Sequence, residues 1–104
     1  MSSAAEFVKN AIANNKAVIF SKTYCPYCTK AKAAFAQVGC TPTVIELDLR
    51  SDGAQIQSEM SKISHVSTVP NVFIQQKFIG GGDDSMRLAR SGQLLKLCQE
   101  AGLV

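Results

Sequence analysis

The chain has 104 residues, one domain's worth of polypeptide, and its 46% hydrophobic content can fill one modest core and excludes disorder over most of the length. Eleven Lys and Arg against eight Asp and Glu leave +3, too mild to announce a nucleic-acid binder, and no apolar run reaches the ~18 residues of a membrane span. The charge is unevenly placed: residues 1–41 hold five lysines (Lys9, Lys16, Lys22, Lys30, Lys32) against Glu6 alone, so the basic excess surrounds the stretch from Lys16 to Lys32.

Ser3 and Glu6 form an S-x-x-E capping box that opens a helix burying Ala4, Val8 and Ile12, and Asn14-Asn15 ends it. Ala17-Val18-Ile19-Phe20 is a short continuous apolar run, expected as a strand buried on both faces. Ser21 to Tyr24 is a loop. Cys25-Pro26 then starts a helix, because proline suits a first turn in which its missing N–H has no partner to lose. Ala31, Ala34, Phe35 and Val38 keep the inner face of that helix and Gly39 stops it. Thr43 to Asp48 predicts a second strand, and Asp52 is expected to cap a helix carrying Ile56, Met60 and Ile63. Val72-Phe73-Ile74, a turn at Gln75-Gln76 and Lys77-Phe78-Ile79 read as a hairpin, which Gly80-Gly81-Gly82 breaks. Asp83 or Asp84 is expected to cap a helix from about Ser85, and Leu94, Leu97, Cys98 and Ala101 stripe a last one. The order α-β-α-β-α-β-β-α-α predicts an α/β fold: one mixed four-stranded sheet, a parallel βαβ unit followed by an antiparallel hairpin, with helices on both faces.

The opening residues have no uninterrupted apolar core and no arginine, unlike secretory or mitochondrial leaders, so a cytoplasmic protein is expected. In a reducing compartment paired cysteines signal metal binding or redox chemistry, which singles out Cys25 and Cys28 among the four cysteines. A C-x-x-C pair at a strand-to-helix junction brings both sulfurs within one helical turn. The first occupies the N-cap, where unpaired N–H groups and the positive dipole end favour an anion, and Lys22, Lys30 and Lys32 lie nearby in sequence. Such surroundings lower a thiol pKa from ~8.5 into the range of about 3.5–7.5. A fall to ~5 raises the thiolate fraction at pH 7 about 30-fold, but intrinsic nucleophilicity falls by a similar factor, so the gain lies mainly in Cys25 as a leaving group. Cys25 is therefore the expected nucleophile and Cys28 the shielded resolver. Half a zinc site is the competing reading of the pair. Zinc needs two further ligands, which Cys40, Cys98 and His65 offer only singly, so no metal is expected.

Three segments together carry a resemblance: Thr23-Tyr24-Cys25-Pro26-Tyr27-Cys28, Thr68-Val69-Pro70-Asn71-Val72-Phe73-Ile74, and Gly80-Gly81 with Asp83-Asp84. They resemble the dithiol glutaredoxins, and the likeness runs from the first helix to the last, as a single glutaredoxin domain over residues 1–104. The resemblance implies a thioredoxin fold and glutathione-dependent thiol–disulfide exchange. It implies that Val69 precedes a cis Pro70 and pairs through its backbone with the cysteinyl part of glutathione. Lys22 and Gln57 would hold the glycine carboxylate beside Tyr27, and Asp83 and Asp84 the γ-glutamyl end, with Thr68 and Gly81 in the same binding set. Glutathione enters as co-substrate, with no permanently bound cofactor. The implied partners are glutathionylated and disulfide-containing proteins, with a separate NADPH-dependent reductase regenerating glutathione, and the chain is expected to be a monomer without nucleic-acid or membrane partners. Gly82 departs from the family pattern, and its added backbone freedom is expected to loosen the γ-glutamyl loop at Asp83.

On the residues alone, Tyr27 is an exposed aromatic or a groove wall, Val69-Pro70 an ordinary turn, Gln57 a solvated helix residue, and His65 a partner of a helix C-terminus. Lys30 and Lys32 read equally as a solvated face. Cys98 reads as a small buried hydrophobe, and Cys40 as more accessible and open to oxidation or glutathionylation. A binding module is the alternative function, since some relatives hold a [2Fe–2S] cluster between two subunits. Those usually carry C-G-F-S or a smaller residue at the position of Pro26, where proline stiffens the loop.

Overall fold

The computed structural model describes residues 3–104. Its elements are α1 (Ala4–Asn14), β1 (Ala17–Ser21), α2 (Pro26–Gln37), β2 (Thr43–Glu46), a 3-10 turn (Leu47–Leu49), α3 (Gly53–Ser64), β3 (Asn71–Ile74), β4 (Lys77–Gly80), α4 (Gly82–Ser91) and α5 (Gln93–Glu100). The strands form one sheet in the order β2-β1-β3-β4, with β1 parallel to β2 and antiparallel to β3, and β4 antiparallel to β3.

Side-chain alternation along β1 builds both layers. Ala17 and Ile19 enter one apolar cluster with Ala31, Ala34, Phe35 and Leu94 from α2 and α5, whereas Val18 and Phe20 enter another with Val8, Ile12, Ile56 and Met60 from α1 and α3. Every residue of β1 is buried, as the apolar run predicts. Phe20 meets Phe73 of β3 edge-on, with ring centroids 6.0 Å apart at 85°. The Ser3 hydroxyl accepts the Glu6 N–H at 3.2 Å at the start of α1. Gln75 and Gln76 both take positive φ (50° and 67°), the twist a two-residue hairpin turn requires.

Four local expectations are corrected. β2 stops at Glu46, and the chain from Leu47 tightens into the 3-10 turn, with Leu47 buried and Asp48 and Leu49 exposed. α3 comes so close here that a Cβ on Gly53 would lie 2.0 Å from the Leu47 carbonyl oxygen. Asp52 stands at the N-cap of α3 without a capping bond, because Arg50 takes its carboxylate at 2.9 and 3.2 Å. Ile63 points outward, 43% exposed, and α3 closes on His65 in the left-handed region. α4 begins at Gly82 rather than near Ser85, with Gly81 as its N-cap; Asp84, in the first turn, accepts the Gly81 N–H at 3.0 Å.

Candidate active site

β1 ends against the loop that delivers Cys25, and Cys25 becomes the N-cap of α2 with Pro26 in the first turn. Its sulfur accepts the Cys28 N–H at 3.3 Å and lies 3.7 Å from the Val69 carbonyl oxygen, to which the thiol form donates. Cys28 is wholly buried. Burial, followed by the hydrogen bond with Cys25, pushes the Cys28 thiol above its ordinary value, against a smaller downward pull from the Lys22 backbone and the Ser21 hydroxyl. The pair is thus unequal: one sulfur at the surface facing N–H groups, one sealed below it.

Val69–Pro70 is a cis bond, as the resemblance implies. Val69 separates two hollows that share Thr68 and itself. One is a cleft of about 460 Å³ walled by Tyr27, Val66, Pro70, Phe78 and the segment Gly80–Asp84; the other holds Lys22, Tyr24, Cys25, Pro26 and Gln57. Tyr27 therefore stands with Asp83 and Asp84 and not beside Lys22, where Tyr24 takes that place. Gln57 donates to the Ser67 carbonyl at 2.8 Å, which ties α3 to the loop before Val69.

At the far end, Lys30 meets Asp83 at 3.2 Å and lies 4.8 Å over the Tyr27 ring, so Lys30 braces two residues of the cleft wall. Lys32 instead pairs with Glu46 at 2.8 Å. Asp84 accepts from Gly81 N–H and from Arg87 at 2.9 Å, and these two, in that order, hold its carboxyl below the usual range. Gly82 is buried where a Cβ would fall 2.3 Å from the Tyr27 carbonyl oxygen. The third glycine thus permits close packing of α4 on α2 and does not loosen the loop. Among the described residues, no three His, Cys, Asp or Glu side chains gather as a metal site.

A glutaredoxin family model matches residues 17–79. The chain is 49% identical over 98 residues to Glutaredoxin-C4 of Arabidopsis thaliana, covering 94% of this chain and 73% of that protein. The crystal structure of oxidized glutaredoxin 2 from Chlamydomonas reinhardtii superposes with a TM-score of 0.92 at 46% identity, covering 97% of this chain and 95% of that one. The chain belongs to the glutaredoxin family. A buckwheat glutaredoxin solved as its glutathione complex is 42% identical, with a TM-score of 0.91 over 97% of this chain and 92% of that one. The fold is the thioredoxin fold, and the activity of this glutaredoxin is glutathione-dependent thiol–disulfide oxidoreduction.

All eleven residues singled out from the sequence line the two hollows or, for Cys28, lie directly beneath them. Sequence reasoning missed Val66, Tyr24 and Phe78 as walls. It also missed Asp48, which accepts the Thr23 N–H at 3.0 Å and the Thr23 hydroxyl, fixing the loop before Cys25. Parallel register was the available signal. Ser21 pairs with Glu46, so Thr23 and Asp48, two residues further on, leave the sheet side by side.

Proposed function

We propose that this glutaredoxin removes glutathione from protein mixed disulfides through Cys25 alone and reduces protein disulfides through Cys25 and Cys28 together. The inequality of the two sulfurs carries this reading: Cys25 receives an N–H at the positive end of α2, while Cys28 is buried with its thiol pushed upward. In the first route the Cys25 thiolate attacks the glutathionyl sulfur, and the protein thiolate leaves and takes a proton. A second glutathione, as thiolate, then attacks that glutathionyl sulfur. Cys25 departs as thiolate and glutathione disulfide is released. In the second route Cys25 opens a protein disulfide, and Cys28 gives up its proton and attacks the Cys25 sulfur. The reduced protein leaves and the Cys25–Cys28 disulfide closes, to be reopened by two glutathiones.

Glutathione would lie along both hollows with its cysteinyl backbone on Val69. Thr68, Pro70 and Gly81 would line its path, the glycine carboxylate would face Lys22 and Gln57, and the γ-glutamyl end would meet α4. There the opening N–H groups suit its carboxylate and Asp84 suits its ammonium. Every group in the scheme comes from one copy, which supports a monomer. The chemistry fits a cytoplasmic setting in which an NADPH-dependent reductase keeps glutathione reduced.

Two serine variants test the scheme. Cys28→Ser should keep deglutathionylation of a mixed-disulfide substrate, at or above the wild-type rate, and lose most reduction of a two-cysteine protein disulfide. Cys25→Ser should lose both. A Cys25→Ser protein that still deglutathionylates at a substantial fraction of the wild-type rate would falsify the assignment.

A further inference from the structure

The chain carries a second pair of thiols that this chemistry leaves unused. Cys25 caps the N-terminus of α2 and Cys40 follows its C-terminus, so the twelve helical residues place Cys40 about 18 Å from the active site. Cys98 lies on α5. Both belong to one apolar cluster with Ala31, Phe35 and Leu94, and Cys40 is a neighbour near enough to Cys98 to help raise its thiol pKa. The expectation of an accessible Cys40 is corrected: it is 4% exposed and Cys98 0%. Cys40 is held from beneath, its N–H donating to the Phe35 carbonyl at 3.0 Å. One side of it lines an open surface hollow with Lys32, Thr41 and Val44, whereas Cys98 has no such opening.

We propose that Cys40 and Cys98 are a second thiol–disulfide couple, closed by glutathione disulfide that reaches Cys40 from the hollow beside Lys32. Cys40 loses its proton and attacks one sulfur of glutathione disulfide. The sulfur–sulfur bond of that molecule breaks, Cys40 carries glutathione, and one glutathione leaves. Cys98 then loses its proton and attacks the Cys40 sulfur, expelling the second glutathione and closing the Cys40–Cys98 bond. Two thiols are oxidised, one disulfide is reduced, and both protons end on the two glutathiones. The bond would tie α5 to the end of α2 and lock together the helical layer to which the active-site helix belongs.

Cys98 sets the pace. Burial first, then the hydrogen bond and charge of Cys40, push its thiol up to about 12. Lys32, paired with Glu46, is the charged side chain on the hollow, and Lys96 and Glu100 of α5 are exposed to solvent. Its thiolate is therefore scarce at pH 7 and grows about tenfold per pH unit.

Wild-type protein tests this directly, because trypsin separates the pairs. Cys25 and Cys28 share the peptide 23–30, Cys40 falls in 33–50 and Cys98 in 97–104. Native protein is incubated with glutathione disulfide at pH 7, 8 and 9, its free thiols are blocked, and the digest is weighed. The expected product is peptide 33–50 joined to 97–104, lighter than their sum by two hydrogens, formed about tenfold faster per pH unit. In Cys98→Ala, peptide 33–50 should accumulate with glutathione attached. Overturning results are a wild-type Cys40 that keeps its glutathione beside a free Cys98, a cross-link that forms only in denaturant, or a rate indifferent to pH.

Discussion

At Lys22 the question is how a half-buried ammonium stays available to a bound anion. Asp48 is close enough for the Lys22 charge to help lower its pKa, yet both its oxygens are engaged by Thr23, the largest cause of that lowering. In the proposed docking, Lys22 would thereby be left to attract the glycine carboxylate of glutathione through partly solvated space, an interaction worth about 0.2–1 kcal/mol. Lys22→Ala should accordingly raise KM for a glutathionylated peptide about two- to fivefold with little change in kcat. The penalty should shrink as salt rises, since such contacts are screened within ~8–10 Å at physiological ionic strength. Initial rates across a salt series check this; an unchanged KM at low salt would remove Lys22 from the glutathione seat.

Between elements, the contact of α2 with α4 decides the shape of the cleft, and Gly82 is its closest point. A methyl there would meet the Tyr27 carbonyl oxygen at 2.3 Å, backbone against backbone, so α4 must move away from α2. Gly82→Ala should cost about 1–3 kcal/mol in urea denaturation and raise KM, because Tyr27 and Asp83 stand on either side of that contact. A variant as stable as wild type would show that the helix pair has slack. The sequence pattern made the sheet, the five helices and Cys25 as an N-cap legible because each is specified by its own residues: the Ser3–Glu6 cap, the unbroken run Ala17–Phe20, and Pro26 after Cys25. Features set by a distant neighbour were not legible. Gly53 lets α3 approach the Leu47 carbonyl where the second strand has ended, Arg50 draws Asp52 away from its cap, and the Tyr27 carbonyl gives Gly82 its purpose. The expectation of glutathione contacts at Lys22 and Gln57 rests on family likeness, since a lone lysine or glutamine carries no local signature.

Over the whole molecule, the displaced pKa values fall into two sets that bound the stable pH range. Asp48, Asp52 and Asp84 are all lowered: Asp48 by the Thr23 hydroxyl and N–H, Asp52 by Arg50, and Asp84 by the Gly81 N–H and then Arg87. A carboxylate with a depressed folded pKa binds fewer protons folded than unfolded. Its contribution is therefore present above about 3.8 and is lost as pH falls through the lowered value. The buried thiols act in the opposite sense. Cys28 is raised and Cys98 is pushed up to about 12, so the folded chain keeps protons that an unfolded chain releases near 9. Stability should then be flat from about pH 5 to 8, fall on acidification below about 4, and fall again as pH climbs above 9. Urea midpoints of the protein held in reductant, taken from pH 2 to 11, check both edges. Asp84→Asn should flatten the acid edge, and Cys98→Ala the alkaline one. The Cys98 proton links that alkaline edge to closure of the Cys40–Cys98 bond, because the same ionisation weakens the fold and arms the sulfur. Cys98→Ala should therefore soften the fall in stability above pH 9, the edge toward which the wild-type cross-link accelerates. An alkaline edge unmoved in Cys98→Ala would show that the two do not share the proton.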